Sequence, residues 1–143
     1  MNNSLICVDA SIVVPLVVEN KNSQRVNELW VDWHEAGNRL IAPTLLYYEV
    51  TNALRRYLVA GQLLEEEVRV ALQAALQLGI VLYGDDHLHL QALQLANRLS
   101  LPATYDAHYL ALAERYQADF WTADRRLVNA VQKVLPWVHL VAA

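Results

Sequence analysis

The sequence predicts a three-layer α/β/α domain with a mainly parallel central sheet, and three observations carry that expectation. Short, continuous apolar runs alternate with longer amphipathic segments in the order β-α-α-β-α-α-β-α-α-β-α-β, and parallel strands need crossover connections of this kind. The first run, Leu5-Ile6-Cys7-Val8, lacks the polar alternation of a half-exposed strand and ends in Asp9, the pattern of a strand covered on both faces. The chain has 143 residues, 55% of them hydrophobic and 18% charged, so a single domain over residues 1–143 can bury its own core without disulfides or a structural metal.

Each element has a local reason. From Ser11 to about Val18 the chain stays apolar and is expected to form a short helix with Pro15 in its first turn, where a missing N–H costs least. Ser23 through Ala36 places Val26, Leu29, Trp30 and Trp33 at helical spacing, and Gly37 follows at a C′ position. Arg39-Leu40-Ile41-Ala42 reads as a strand, after which Pro43-Thr44 starts a long helix through Ala60, ended by Gly61. Glu65 to Leu78, ended by Gly79, is another helix, and Glu65-Glu66-Glu67 supplies its negative first turn. Ile80 to Tyr83 is the next strand. Asp85 or Asp86 then caps a helix to about Leu99 whose stripe is Leu88, Ala92, Leu95, Ala96 and Leu99. Asp106 to Gln117 is helical, Asp119 to Thr122 a strand, Asp124 opens a helix to Val134, and Trp137 to Val141 is the last strand.

Composition excludes several classes. The lone Cys7 can form neither an internal disulfide nor a cysteine zinc cluster and points to a reducing, cytoplasmic setting. The N-terminus has no basic residue and its apolar run is interrupted at Asp9, so no signal peptide is expected. No uncharged apolar stretch approaches the roughly 20 residues of a membrane span. Four glycines, each at the end of an element, exclude a P-loop or a dinucleotide fingerprint. The net charge of −4 has the wrong sign for holding nucleic acid by the overall field. Local contacts remain open, because nine of the eleven basic residues are arginine, with pairs at Arg55-Arg56 and Arg125-Arg126. Solvated helix faces produce such pairs as well.

Four acids stand out by position: Asp9 at a strand end, Glu49 inside a helix, Asp106 at a helix start and Asp124 after a strand. Asp9 and Asp124 can be read as helix N-caps, and Asp106 can be read the same way. Glu49 cannot, because it sits in the second turn among Leu45, Leu46, Val50, Ala53 and Leu54, where an unpaired carboxylate costs several kcal/mol. It needs a cation, and an ion pair with Arg56 is one answer. The other is convergence of all four acids at one sheet edge around a divalent ion, since hard oxygen ligands suit Mg²⁺ or Mn²⁺. The net charge of −4 equals the charge of these four acids, so the rest of the chain is neutral. His87 and His89 flank Leu88 beside Asp85-Asp86, but side chains two apart on a helix point about 200° apart and rarely share an ion. Cys7, in an apolar strand, reads as a buried thiol rather than a nucleophile.

Four blocks in order, Val8-Asp9-Ala10-Ser11, Tyr48-Glu49-Val50-Thr51-Asn52-Ala53-Leu54, Tyr105-Asp106 through Ala113, and Trp121-Thr122-Ala123-Asp124-Arg125-Arg126-Leu127, resemble the PIN-domain family, and within it the VapC-like toxin ribonucleases of toxin–antitoxin pairs. The resemblance implies a PIN-like fold and a Mg²⁺- or Mn²⁺-dependent endoribonuclease with Asp9, Glu49, Asp106 and Asp124 at the acidic positions. Asp9 and Asp106 would be the firmest metal ligands, Glu49 would complete the shell or orient water, and Asp124 would hold a second ion or act through water. Ser11 and Thr122 would support the acids or the substrate. A homodimer and a cognate VapB-like antitoxin are also implied. Trp30, Trp33, Tyr47 and Tyr48 could give that partner a surface or belong to the core. Competing readings are a PIN-like nuclease acting on structured DNA, a phospho-receiver module, and a non-catalytic peptide-binding partner. The receiver fits poorly, because the first strand ends in a single acid and both Lys21 and Lys133 are badly placed for the lysine that module needs after its last interior strand.

Overall fold

The computed structural model describes residues 4–142. Its elements run β1 (Leu5–Val8), α1 (Ala10–Val17), α2 (Ser23–Glu35), β2 (Arg39–Pro43), α3 (Leu45–Val59), α4 (Glu65–Leu76), β3 (Val81–Tyr83), α5 (Asp86–Leu99), α6 (Tyr105–Tyr116), β4 (Asp119–Thr122), α7 (Arg125–Val131) and β5 (Val138–Leu140). The order matches the expected alternation. The five strands form one sheet in the order β3-β2-β1-β4-β5, and every pairing is parallel. Because β1 is central and the chain leaves it first toward β2 and later returns to β4 on its other side, the carboxyl ends of β1 and β4 flank a topological switch point, where such sheets leave a crevice.

Two helical layers cover the sheet. Helix α1 seats on β1 and β4 and packs against α2, α3 and α4, while α6 seats on β1, β2 and β4 with α5 behind it. Between them lies a contiguous apolar cluster that includes Val8, Ile12, Ile41, Leu46, Leu110 and Phe120, each almost wholly withdrawn from solvent. Cys7 is buried in the same cluster and its thiol points to the Tyr109 carbonyl at 3.7 Å. Burial pushes that thiol well above its ordinary range, as expected of an inert core cysteine.

Several boundaries differ from expectation for identifiable reasons. Asp9 caps α1, so the helix begins at Ala10 and Pro15 falls in its second turn rather than its first. The missing N–H there deprives the Ser11 carbonyl of its i+4 donor, and the ladder resumes where Val18 N–H meets the Val14 carbonyl at 2.9 Å. Pro43 ends β2 instead of opening α3, in register with Tyr83. The next residue carries the ladder on, its N–H donating to the Tyr83 carbonyl at 2.8 Å. Helices α4 and α7 stop at Leu76 and Val131, short of Leu78 and Val134. Of the aromatic residues weighed as a surface, Trp33 is buried and its ring lies 5.9 Å from that of Trp121. Trp30 packs edge-on against it, and Tyr47 donates its hydroxyl to the Ala75 carbonyl. Tyr48 alone among them projects into solvent, 76% exposed. Among the described residues no helix is long and apolar enough to cross a membrane.

Candidate active site

The site is built outward from the end of β1. Asp9 has extended backbone and caps α1, its Oδ1 accepting from the Ser11 N–H at 3.0 Å. The same oxygen accepts from the Ser11 hydroxyl at 2.5 Å, and Oδ2 accepts from the Thr122 hydroxyl at 2.6 Å. Thr122 is the last residue of β4. Both hydroxyls also accept backbone bonds, Ser11 from the Ala123 N–H at 2.8 Å and Thr122 from the Asp124 N–H at 3.1 Å. Two hydroxyl side chains thus lash the carboxyl ends of the adjacent strands together and fix both oxygens of Asp9. Asp124, held at the next turn, caps α7 by accepting from the Leu127 N–H at 3.1 Å. The capping reading of Asp9 and Asp124 is therefore correct, and it does not compete with membership of the cluster.

Asp106 is not a cap. It is the second residue of α6, whose N-cap is Thr104. Glu49 enters from the second turn of α3, and it pairs not with Arg56 but with Tyr109, whose hydroxyl donates to Oε1 at 2.5 Å. Tyr109 is 1% exposed. Its hydroxyl is pushed far up by burial and by the Glu49 carboxylate, so it stays protonated and keeps donating. Sequence reasoning assigned Tyr109 no role, although it lies three residues after Asp106 and so on the same face of α6. Arg56, two turns along α3 from Glu49, is exposed and lines the same cavity. Arg55, about 100° further round the helix, does not, and neither do Arg125 and Arg126 at the solvent side of α7.

All four acids line one cavity of about 790 Å³. Arg56 is the one cation among its lining residues, and no ion pair among the described residues involves any of the four acids. The electrostatic result is visible. Burial pushes the Asp9 carboxyl up to about 6, against the pull of its hydrogen bonds from Ser11 and Thr122 and with a further push from Glu49. Asp106 is raised as well, by burial first and then by Asp124 and Glu49. Carboxyls withdrawn from water behave this way, and neighbouring like charges add to the push. Among the described residues no three His, Cys, Asp or Glu side chains close around a single point, so the acids define a shared pocket rather than a finished coordination shell. Their chemistry fits a hard divalent cation: oxygen donors only, from four separate elements, with an unmet need for positive charge. His87 and His89 do not form a second patch. His89 meets His108 across α5 and α6 at 2.9 Å, and the other ring nitrogen of His108 donates to the Thr104 carbonyl at 2.6 Å.

Comparison with known proteins agrees with the architecture. The model of the PIN domain family matches residues 6–133. No curated protein is significantly similar in sequence. Among solved structures, VapC20 of Mycobacterium tuberculosis, described as a Sarcin-Ricin loop cleaving toxin, superposes with a TM-score of 0.65 at 16% identity, over 88% of this chain and 95% of that one. A chain of a toxin–antitoxin complex from Klebsiella pneumoniae gives 0.65 at 17% identity, over 96% of this chain and 98% of that one. PAE2754 from Pyrobaculum aerophilum gives 0.64 at 24% identity, over 87% and 84%.

Proposed function

Since the chain belongs to the PIN domain family, we propose that it is a Mg²⁺- or Mn²⁺-dependent endoribonuclease of the VapC-like toxin type, cleaving RNA phosphodiesters at the Asp9, Glu49, Asp106 and Asp124 pocket. The observation that carries this reading is the delivery of four carboxylates from the end of β1, α3, α6 and the β4–α7 turn into one cavity, none of them ion-paired among the described residues. Asp9 and Asp106, the two whose carboxyls are pushed up, would be the principal ligands, with Glu49 and Asp124 completing the shell. A bound divalent ion supplies an activated water for in-line attack and charge neutralisation at the leaving oxygen.

The protein's own groups set the geometry. Ser11 and Thr122 fix the Asp9 oxygens, so no carboxylate rotation has to be frozen when an ion binds. Tyr109 orients Glu49 from inside the core. Arg56, on the same cavity wall, supplies the positive charge that draws a phosphate toward the acids. Arg55, Arg125 and Arg126, exposed and outside the cavity, would act only as outer phosphate contacts.

Two partners follow from this reading. A cognate antitoxin is supported by the likeness to a chain from a toxin–antitoxin complex. A homodimer is supported by exposed apolar side chains on α5, where Leu90 and Leu93 are 60% and 52% exposed. A cytoplasmic location is supported by the single, buried Cys7 and would suit the proposed RNA substrate.

The test is cleavage of a mixed RNA pool by the purified protein with Mg²⁺ or Mn²⁺, run beside EDTA and beside Asp9→Asn. Cutting that needs the metal and disappears in Asp9→Asn is the expected result. Cutting by the variant with unchanged metal dependence would refute the site, and no cutting by the wild type with either ion would turn the reading toward a peptide-binding module.

A further inference from the structure

The cavity is longer than the acidic cluster. Along α3, Glu49, Asn52, Arg56 and Ala60 all line it, and spacings of three and four residues put them on one helix face. At 1.5 Å per residue that stripe runs about 16 Å away from the acids. The far arm contains no acid. Its polar groups are instead amides: Asn52 on α3, Gln62 in the turn after it, and Asn20 and Asn22 in the loop between α1 and α2. Val14 and Pro15 of α1, both buried, give it an apolar floor.

Three of these four amide side chains are not engaged in holding the fold. Among the described residues the side chains of Asn22, Asn52 and Gln62 make no hydrogen bond within the chain. Asn20 uses only its carbonyl, which accepts from the Asn22 N–H at 2.8 Å. An amide presents a donor and an acceptor side by side, the pairing that reads the edge of a nucleobase. An apolar floor with a few convergent polar groups is how a concave site takes a flat ligand. Base edges are free only where RNA is unpaired.

Resting on the nuclease reading above, we infer that the α3 arm of the cavity is a base-reading subsite for single-stranded RNA, with Asn52 and Gln62 as specificity-determining residues and Arg56 holding the phosphate between the read base and the scissile bond. Asn20 and Asn22 line the same cavity from the loop between α1 and α2. The strand would lie along α3, with the cut at the Glu49 end and the read nucleotides within the next two turns of helix.

The experiment compares the wild-type chain with Asn52→Ala and Gln62→Ala on a random-sequence single-stranded RNA pool, sequencing the cleavage ends. Both positions are exposed and support no backbone group, so the variants are expected to fold. Metal-dependent cutting persists in them, while base preference at one or more positions within three nucleotides of the cut weakens several-fold. An unchanged sequence preference in both variants overturns the subsite and leaves the nuclease standing. If the wild type cuts nothing, the subsite is judged by binding. In Asp9→Asn protein, the ¹⁵N side-chain NH₂ signals of Asn52 and Gln62 are followed during titration with the four single-base RNA tetranucleotides. Shifts whose midpoints differ between bases support it, and signals that do not move refute it.

Discussion

Replacing Asp9 by asparagine should make the metal-free protein more stable while removing its proposed activity. The carboxyl is pushed from 3.8 up to about 6, chiefly by burial. At about 1.36 kcal/mol per pH unit, ionised Asp9 therefore costs the metal-free fold about 3 kcal/mol at neutral pH. Because the folded-state value is the raised one, the favourable contribution is fully present below pH 4 and is lost as pH rises through 6. Asparagine cannot ionise and escapes that cost. Its amide nitrogen cannot accept from Thr122, however, which gives back about 1 kcal/mol. The net gain near pH 8 is about 2 kcal/mol, or roughly 5 °C in Tm for a chain of this size.

Thermal unfolding in EDTA, at pH values from 4 to 8, is the assay. The variant should be slightly less stable than the wild type near pH 4, cross it on the way up, and lead by about 5 °C at pH 8. Added Mg²⁺ should stabilise the wild type by mass action and leave the variant nearly unmoved. A variant no more stable than wild type at pH 8, or a difference that does not change with pH, would refute the claim that a buried, ionised Asp9 strains the metal-free fold.

Tyr109→Phe deletes the hydroxyl that holds Glu49 and should lower cleavage at least about tenfold, while costing only about 1–3 kcal/mol in stability; a variant with wild-type kcat would remove Tyr109 from the site. Thr122→Val keeps the volume but breaks the bond to Asp9 and the one from the Asp124 N–H. It should raise the Asp9 carboxyl further, so that half-maximal metal binding at fixed pH needs more Mg²⁺, measured by calorimetry. Phe120→Ala empties a fully buried position in β4 and should cost about 3–5 kcal/mol by denaturant unfolding; a loss below about 1 kcal/mol would mean that β4 is not pinned by that ring.

Much of this was legible in the chain because the signals are local. Glycines after α2, α3 and α4 take the left-handed backbone that ends these helices or the turns after them, with φ of 75°, 74° and 78°. The acids at strand ends were conspicuous because a charge after an apolar run has few local explanations. Strand order was not legible, since β1 pairs equally well by pattern with any parallel neighbour. Tyr109 was hidden because a tyrosine among Leu110, Leu112 and Ala113 reads as core, and it is core except for one oxygen. The Arg56 ion pair failed for a geometric reason: seven residues of helix separate the groups by about 10 Å along the axis, and a neighbouring helix offered a hydroxyl at contact distance.

The bond between Thr122 and Asp9 spans 113 residues of sequence, and this sets when the pocket can exist. A ribosome exposes β1 and its acid first and β4 nearly last, so Asp9 leaves the tunnel long before the strand that fixes it. At roughly 5–20 residues per second, the interval is several seconds or more. Throughout that interval Asp9, joined in turn by Glu49 and Asp106, waits in the nascent chain without the Thr122 hydroxyl that fixes its second oxygen. Any product of stalled synthesis ending before Thr122 lacks that clamp and the Asp124 carboxylate as well, so the four-acid pocket exists only once translation has passed both.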